Sequence, residues 1–314
     1  MRTWPFSDTF GAVMAALDAP GRSRNAPTIA QMAKDATVWT PDALARDPHA
    51  DAEKARKVQA MFAAIARSYD LNNRVHSFFQ DQRWRRAAVR AAGIGPGSRV
   101  LDCACGTGDL SEAFADAGAA EVTGLDFTPQ MLDIARHKAT RTSARPGRAA
   151  VRYVQGDAMA LPFGDRSFDA VSIAFGIRNV AHPERAIAEF LRVLRPGGRL
   201  VVLEFCDPAN PVIRWLGGSY TRHVMPLTAT LIARDRSGAY RYLPRSVSTF
   251  AQPEDLSSML AAAGFAGSSW TPLSMGICAL HRAERPAGPD TLTAARTDAR
   301  AGTARAQDGS RKDG

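Results

Sequence analysis

The chain has little of what would tie it to an oxidising compartment or carry it through a bilayer. Four cysteines in 314 residues are too few for a disulfide framework. The two that lie close together, Cys103 and Cys105, are one residue apart, a spacing typical of neither zinc nor redox motifs. Reduced thiols in a cytoplasmic setting are therefore expected. No apolar run approaches the roughly 18 residues needed to span a membrane, which excludes an integral helical membrane protein. The first residues lack the order of basic segment, apolar core and small-residue cleavage site that marks secretion. Acidic residues are also scarce: 31 Asp and Glu face 40 Lys and Arg, a net charge of +9. Such an excess suits nucleic acid or an anionic membrane surface, but an arginine- and alanine-rich composition alone produces it, so charge does not choose a partner.

Residues 1–51 mix Ala, Pro and Asp with short apolar runs and read as an extension, with one short helix at about 10–17. Residues 287–314 lack large apolar side chains almost entirely, and burial there cannot offset the entropy of ordering. Between these ends strand and helix alternate. Val58, Met61, Ile65 and Tyr69 share a helical face, and a second helix follows at about 84–92. Five strand-like runs come next: SRVLDCAC, AEVTGLDF, VRYVQGDA, FDAVSIAF and GRLVVLEF. PERAIAEFLRVL places Ile187, Phe190, Leu191 and Leu194 together between Pro183 and the Pro196-Gly197-Gly198 stop. SSWTPLSMGICALHRA closes the pattern as a hairpin turning near Gly276. The alternation predicts an α/β domain over 52–286, with a mainly parallel sheet covered on both faces and an antiparallel edge.

The chemistry concentrates at three strand ends. The first runs into Asp102 and then Gly106-Thr107-Gly108, a turn that lets a ligand approach the backbone. A dinucleotide fingerprint would place a third glycine where Ser111 stands, which disfavours a nicotinamide enzyme. The second strand ends at Asp126, suited to ribose hydroxyls. The third ends at Gly156-Asp157-Ala158, where a carboxylate can meet an adenine amino group. One such Asp is commonly a helix cap. Three in succession match a nucleoside ligand without a pyrophosphate.

These segments, with FAAIARSYDLNNRVHSFFQDQRWRR, FGIRNV, RVLRPGGRLVVLEF and YRYLPRSV, resemble the menaquinone/ubiquinone biosynthesis C-methyltransferase family over about 57–282. The resemblance implies a Rossmann-like class I methyltransferase with a seven-stranded sheet. S-adenosylmethionine would be the methyl donor, with no metal. It implies cofactor positions at Thr107, Asp126, Asp157 and Ala158, to which the turn adds Asp102, Gly106 and Gly108. Ala174 stands where the family has a cofactor-contacting serine, Asp81 where some members have a histidine, Asn72 where YDxMN has its methionine, and Cys206 where a serine follows LEF.

A quinol ring attacks a sulfonium methyl best as a phenolate, so a cation or acceptor near the ring is required. The loop after the fourth strand offers Arg178 and Asn179, with Arg178 expected to stabilise the phenolate; Tyr69 and Asp70 would close the site from the N-terminal helix. His223, Arg241 and Tyr242 are further acceptor-side candidates. Residues 214–245 hold six arginines and one acid, with Trp215, Tyr220, Tyr240 and Tyr242 interleaved. That mixture suits a membrane interface, RNA or a solvated face. The expected partners are a prenylated quinol, a peripheral contact with the inner face of the membrane, and a second copy of the chain; no nucleic acid is expected. Demethylmenaquinol is the first acceptor expectation. A benzoquinol, another small molecule or lipid, and a non-catalytic S-adenosylmethionine-binding subunit are the alternatives.

Overall fold

A computed structural model describes residues 38–142, 147–221, 228 and 237–288. Seven strands form one sheet in the order β3-β2-β1-β4-β5-β7-β6. They are β1 Arg99–Cys103, β2 Glu121–Asp126, β3 Val151–Gln155, β4 Phe168–Ala174, β5 Leu194–Phe205, β6 Ala266–Leu273 and β7 Cys278–Glu284. β1 to β5 run parallel, and β7 enters antiparallel between β5 and β6. The alternating pattern and the closing hairpin are thus as expected, with the turn at Ser274–Gly276.

Alternation along each strand makes two cores. Leu101, Val171, Leu200 and Val202 face one side, where helices α6 (Pro183–Val193) and α9 (Pro253–Ala262) cover them. Val100, Val122, Ala170 and Val201 face the other, against α3 (Gln80–Ala92) and α4 (Asp109–Asp116). In α6, Pro183 opens the helix and Ala186, Ile187, Phe190 and Val193 are buried at the three-and-four spacing of one face. α5 (Pro129–Thr142) follows β2, α7 (Pro211–Ser219) follows β5, and α8 is Ala239–Ser248. The 23-residue helix α2 (Lys54–His76) contacts α3 and α5 from outside the sheet.

Residues 38–50 depart from the sequence reading, which places all of 1–51 outside the folded domain. Trp39 is fully buried, and its ring stacks on Tyr242 with centroids 4.6 Å apart. The amides of Val38 and Trp39 both donate to the Ser237 carbonyl, at 3.0 and 3.1 Å. Thr40 then caps the short helix α1 (Pro41–Ala45). A lone Trp in an Ala-, Pro- and Asp-rich stretch leaves no periodic signal, so composition hides its burial. The helix expected at 10–17 and the tail from 289 lie outside the described residues.

Removing a buried tryptophan costs about 3–5 kcal/mol. Trp39→Ala is expected to lower the urea-unfolding free energy by that amount; an unchanged midpoint would mean that this segment is not part of the cooperative unit.

Candidate active site

Strand order reverses between β1 and β4, and the carboxyl ends of the strands open there into a crevice. The cavity occupies about 800 Å³ with its open mouth. Its walls come from the residues after β1, β2, β3 and β4, while Ala55, Val58, Phe62 and Tyr69 of α2 form the cover. Those four recur at helical spacing, so one face of α2 roofs the crevice. A smaller polar recess adjoins it, lined by Arg85, Asp102, Cys105, Thr107 and Asp109 among others. Tyr69, Ala104, Gly106 and Ala174 border both spaces and mark their junction.

The turn after β1 requires its glycines for different reasons. Gly106 has φ +57° and presents bare backbone at the junction. Gly108, at φ +85°, lines neither space: a Cβ there would lie 2.2 Å from the Tyr153 hydroxyl. Packing against Tyr153 is what requires glycine at this position. Non-glycine residues also bend leftward at the tips of β1 and β4, Ala104 at φ +50° and Phe175 at φ +57°. Such strain costs about 1–3 kcal/mol per residue and persists where packing holds it. Here the two loops press together, since a Cβ on Gly176 would come within 2.6 Å of the Ala104 methyl.

Asp126 is nearly buried and accepts the Gly106 and Thr128 amides, each at 2.8 Å, one on each oxygen. Burial pushes its carboxyl above the usual range, against the pull of those amides. The Thr128 hydroxyl and the Phe127 amide also reach this carboxylate, which lines the cavity. Asp157 accepts the Met159 amide at 2.8 Å and lines the cavity beside Ala158. Asp102 is almost fully buried and accepts Ser111 Oγ at 2.6 Å and Ser172 Oγ at 2.7 Å. Burial outweighs both hydroxyls and lifts its pKa to about 6.

Tyr69, Asn179, Gly106, Asp126, Asp157 and Ala158 line the main cavity, and Asp102 and Thr107 line the recess. Asp70 and Arg178 line neither. Asp70 accepts Thr107 Oγ1 at 2.5 Å and pairs with Lys138 at 2.8 Å, clamping α2 onto the turn and onto α5. Lys138 also pairs with Asp109, which Arg74 reaches at 3.2 Å. Burial raises the Asp109 carboxyl, but Arg85, Lys138 and Arg74 together hold it below its ordinary value.

Arg178 corrects the sequence expectation most sharply. Its guanidinium is buried, ion-paired with Glu204 of β5, donates to the Phe175 carbonyl at 2.9 Å and lies over the Phe205 ring. A cation so committed lines neither space, and the described residues show no direct path from it to a ring in the cavity. Asn179, next in the chain, does face the cavity. Its Oδ1 accepts the Tyr242 hydroxyl at 2.9 Å and its Nδ2 donates to the Phe175 carbonyl at 3.2 Å. Tyr242 is thus an anchor behind Asn179 and does not line the cavity; His223 lies outside the described residues. Sequence reasoning missed Arg85, which follows Trp84 in the QRWRR motif. This residue is buried and borders the recess, and its Nε has no hydrogen-bond partner among the described residues.

Removing one partner of a buried ion pair costs about 3–5 kcal/mol, because the other charge stays buried alone. Arg178→Ala is therefore expected to lose that much stability and to lose cofactor affinity and turnover together. A variant of parental stability that loses turnover alone would return Arg178 to the catalytic group.

Asp102 gives a pH dependence. Its folded pKa of about 6 lies above the ordinary value of 3.8. Its contribution to stability is therefore complete below pH 3.8 and is lost as pH rises through 6. A gap of about two between the folded and unfolded pKa is worth about 2–3 kcal/mol. Between pH 4 and 7, the unfolding free energy of Asp102→Asn should rise relative to the parent by about that amount. Parallel pH profiles for the two proteins would show that burial does not perturb Asp102.

Comparison with known proteins agrees with this architecture. The model of the ubiE/COQ5 methyltransferase family matches residues 50–285. A demethylmenaquinone methyltransferase of Thermus thermophilus is 48% identical over 227 residues, which are 72% of this chain and all of that one. A ubiquinone/menaquinone biosynthesis C-methyltransferase of Ectopseudomonas mendocina is 42% identical, over 75% of this chain and 91% of its own. Among solved structures, an S-adenosylmethionine-dependent methyltransferase of Thermotoga maritima, a possible histamine N-methyltransferase, superposes with a TM-score of 0.51. It shares 21% identity over 73% of this chain and 99% of its own. The [4+2]-cyclase SpnF superposes at 0.50 with 23% identity, over 66% of this chain and 81% of its own. At such identities the two structures speak for the fold alone. By family and fold, the chain is a class I S-adenosylmethionine-dependent methyltransferase and belongs to the ubiE/COQ5 methyltransferase family.

Proposed function

We propose that the protein methylates a ring carbon of a prenylated demethylmenaquinol, giving menaquinol. The observation that carries this reading is the lining of the cavity. Asp126, Thr128 and Asp157 come from the end of β2 and the loops after β2 and β3, while Tyr69 of α2 and Asn179 of the turn after β4 are the other polar side chains, in a lining that also holds Ala55, Val58, Phe62, Phe175 and Val180. An aromatic ring with a hydroxyl fits beside those two. The relatives named above act, by their names, on quinones.

The residues present fit S-adenosylmethionine. Asp126 would hold the ribose diol, and Asp157 with Ala158 the adenine. In the recess, Arg85, whose Nε lies 3.9 Å from the Asp81 carboxylate without a hydrogen bond, offers its guanidinium to a carboxylate, and Asp102 suits an ammonium. Bound there, the cofactor supplies an electrophilic methyl group. The chain's own part is to orient the ring and to favour its hydroxyl as a hydrogen-bonded, electron-rich donor. Asn179 has one N–H and one acceptor site left after its bonds to Tyr242 and Phe175, and these can engage the quinol oxygen. Tyr69 borders the junction, where it can exclude water and set the ring plane. Burial holds its hydroxyl protonated, so it acts as a donor.

The test is methyl transfer by purified protein to demethylmenaquinol, with a demethylated benzoquinol and unrelated phenols as competing acceptors. Methylation of the naphthoquinol ring carbon in preference to the others is expected; preference for the benzoquinol or for a phenol oxygen would overturn the assignment. Asn179→Ala should lower turnover roughly a hundredfold, the scale set by losing one preorganised donor, with cofactor affinity near the parental value. Loss of both in parallel would make Asn179 a structural residue.

A further inference from the structure

The outer ends of α2 and α7 expose more apolar surface than folding requires. On α7, Val212, Trp215 and Leu216 are 61%, 70% and 51% exposed, and none of the nine residues is buried. Val212, Leu216 and Tyr220 follow each other at steps of four, with Trp215 alongside, so they form one ridge. Tyr220 ties that ridge to the end of α2. Its hydroxyl lies 3.0 Å from His76 Nδ1, and its ring centroid lies 5.8 Å from that of Phe78. Phe78 and Phe79 are themselves 70% and 64% exposed, and Leu71 continues the surface back along α2.

The two phenylalanines are held there against backbone preference. Phe78 has φ +50° and Phe79 φ +60°, consecutive left-handed residues that glycine would occupy without strain. The turn is held within the chain at the end of α2, where the Phe79 amide donates to the Arg74 carbonyl at 2.8 Å and the Phe78 amide to the Val75 carbonyl at 3.1 Å, and it leaves both rings outside any core. From Phe79 the same face of α3 continues through Arg83, Arg86 and Arg90, all exposed, and the carboxylate of this helix, Asp81, is buried. α7 adds an exposed Arg214 and has no acid. Apolar ridge and basic stripe thus form one continuous face.

We propose that this face, built from Val212, Trp215, Leu216, Phe78 and Phe79 with Arg83, Arg86 and Arg90, docks the enzyme on an anionic lipid surface. Exposed aromatic and aliphatic side chains beside arginines match the layered chemistry of a bilayer interface, where rings enter among the headgroups and guanidinium groups meet phosphates. A second copy of the chain fits less well, because neither α7 nor α3 offers an exposed acid to pair with these arginines. The face adjoins the active site: His76 lies seven residues beyond Tyr69 on α2, about 10 Å along the helix. Docking there would let an acceptor with a long apolar tail reach the crevice while its tail stays in lipid. That consequence rests on the quinol reading above; the docking itself does not.

The experiment is vesicle flotation of the full chain with phosphatidylcholine alone and with phosphatidylcholine containing phosphatidylglycerol, at low and high salt. The parent protein should float with the anionic vesicles, and less so at high salt. Trp215→Ser with Leu216→Ser should weaken that binding at least tenfold. Arg83→Glu with Arg86→Glu should weaken it by about fivefold or more for each arginine removed. Both variants should keep the parental melting temperature and methylate a tail-less hydroquinone at the parental rate. Failure of the parent to float at low salt, or flotation unchanged in both variants, would overturn the proposal. So would loss of a dimer by the Trp215 and Leu216 variant in sedimentation with vesicle binding unaltered. If the parent floats but no hydroquinone is methylated, the acceptor assignment fails and the docking surface stands.

Discussion

Asp102, next to last in β1, has 1% of its surface exposed, and each of its oxygens is bound by a serine from a different element. Ser172 belongs to β4 and Ser111 to α4, so one carboxylate ties together the strand before the crevice, the strand beyond it and the helix that leaves its floor. A buried charge is costly unless it is hydrogen-bonded, and removing either hydroxyl would leave it less satisfied. The position therefore constrains its neighbours in concert. The point where strand order reverses lies between β1 and β4, where the loops at their carboxyl ends frame the crevice. Here it is braced from below, and the strained Ala104 and Phe175 are held at the rim above.

The crevice would still be an open cleft without α2. This helix contributes apolar side chains to the roof and is fastened by polar contacts: Asp70 to Thr107 and Lys138, and Gln59 to the Phe127 carbonyl at 2.6 Å. Partly exposed ion pairs such as Asp70–Lys138 are individually worth little. Their value here is registration, since they place Tyr69 over the junction of cavity and recess instead of one turn away. Trp39 performs a related task from the other side by stacking on Tyr242, which in turn holds Asn179. The N-terminal segments thus determine where Tyr69 and Asn179 point, although Asp126 and Asp157 are set by β2 and the loop after β3.

The sheet and the strand-end carboxylates that line the cavity were legible in the sequence because their signals are local and periodic. Strands with apolar alternation end at Asp126 and Asp157, and a strand end in a doubly wound sheet points toward the crevice whatever the rest of the chain does. The acceptor side was not legible in the same way. Arg178 and Asn179 occupy one three-residue turn, Ile177–Asn179, where neighbouring side chains diverge and no periodicity says which faces inward. The deciding residue is Glu204, which lies on β5 and draws the guanidinium away. Arg85 is hidden for a similar reason: three arginines crowd its motif, and only packing separates the buried one, with its Nε left without a hydrogen bond, from its exposed neighbours Arg83 and Arg86.

The Arg178–Glu204 pair also explains how a fold shared with a cyclase can present a particular chemistry. A buried ion pair rarely stabilises a protein more than apolar packing of equal volume would, so its presence has to be understood through what it orients. Arg178 binds the Phe175 carbonyl, and Asn179 donates to the same oxygen. One backbone acceptor at the strained tip of β4 is thus satisfied twice, which leaves Asn179 little rotational freedom. The Tyr242 hydroxyl removes the rest by fixing the amide oxygen. An amide so held can offer its last donor and acceptor to a ring hydroxyl without first reorganising, and that is the condition under which a neutral group contributes to catalysis in an apolar cavity. The guanidinium itself lines neither space, and it bears on Asn179 through the carbonyl that the two share.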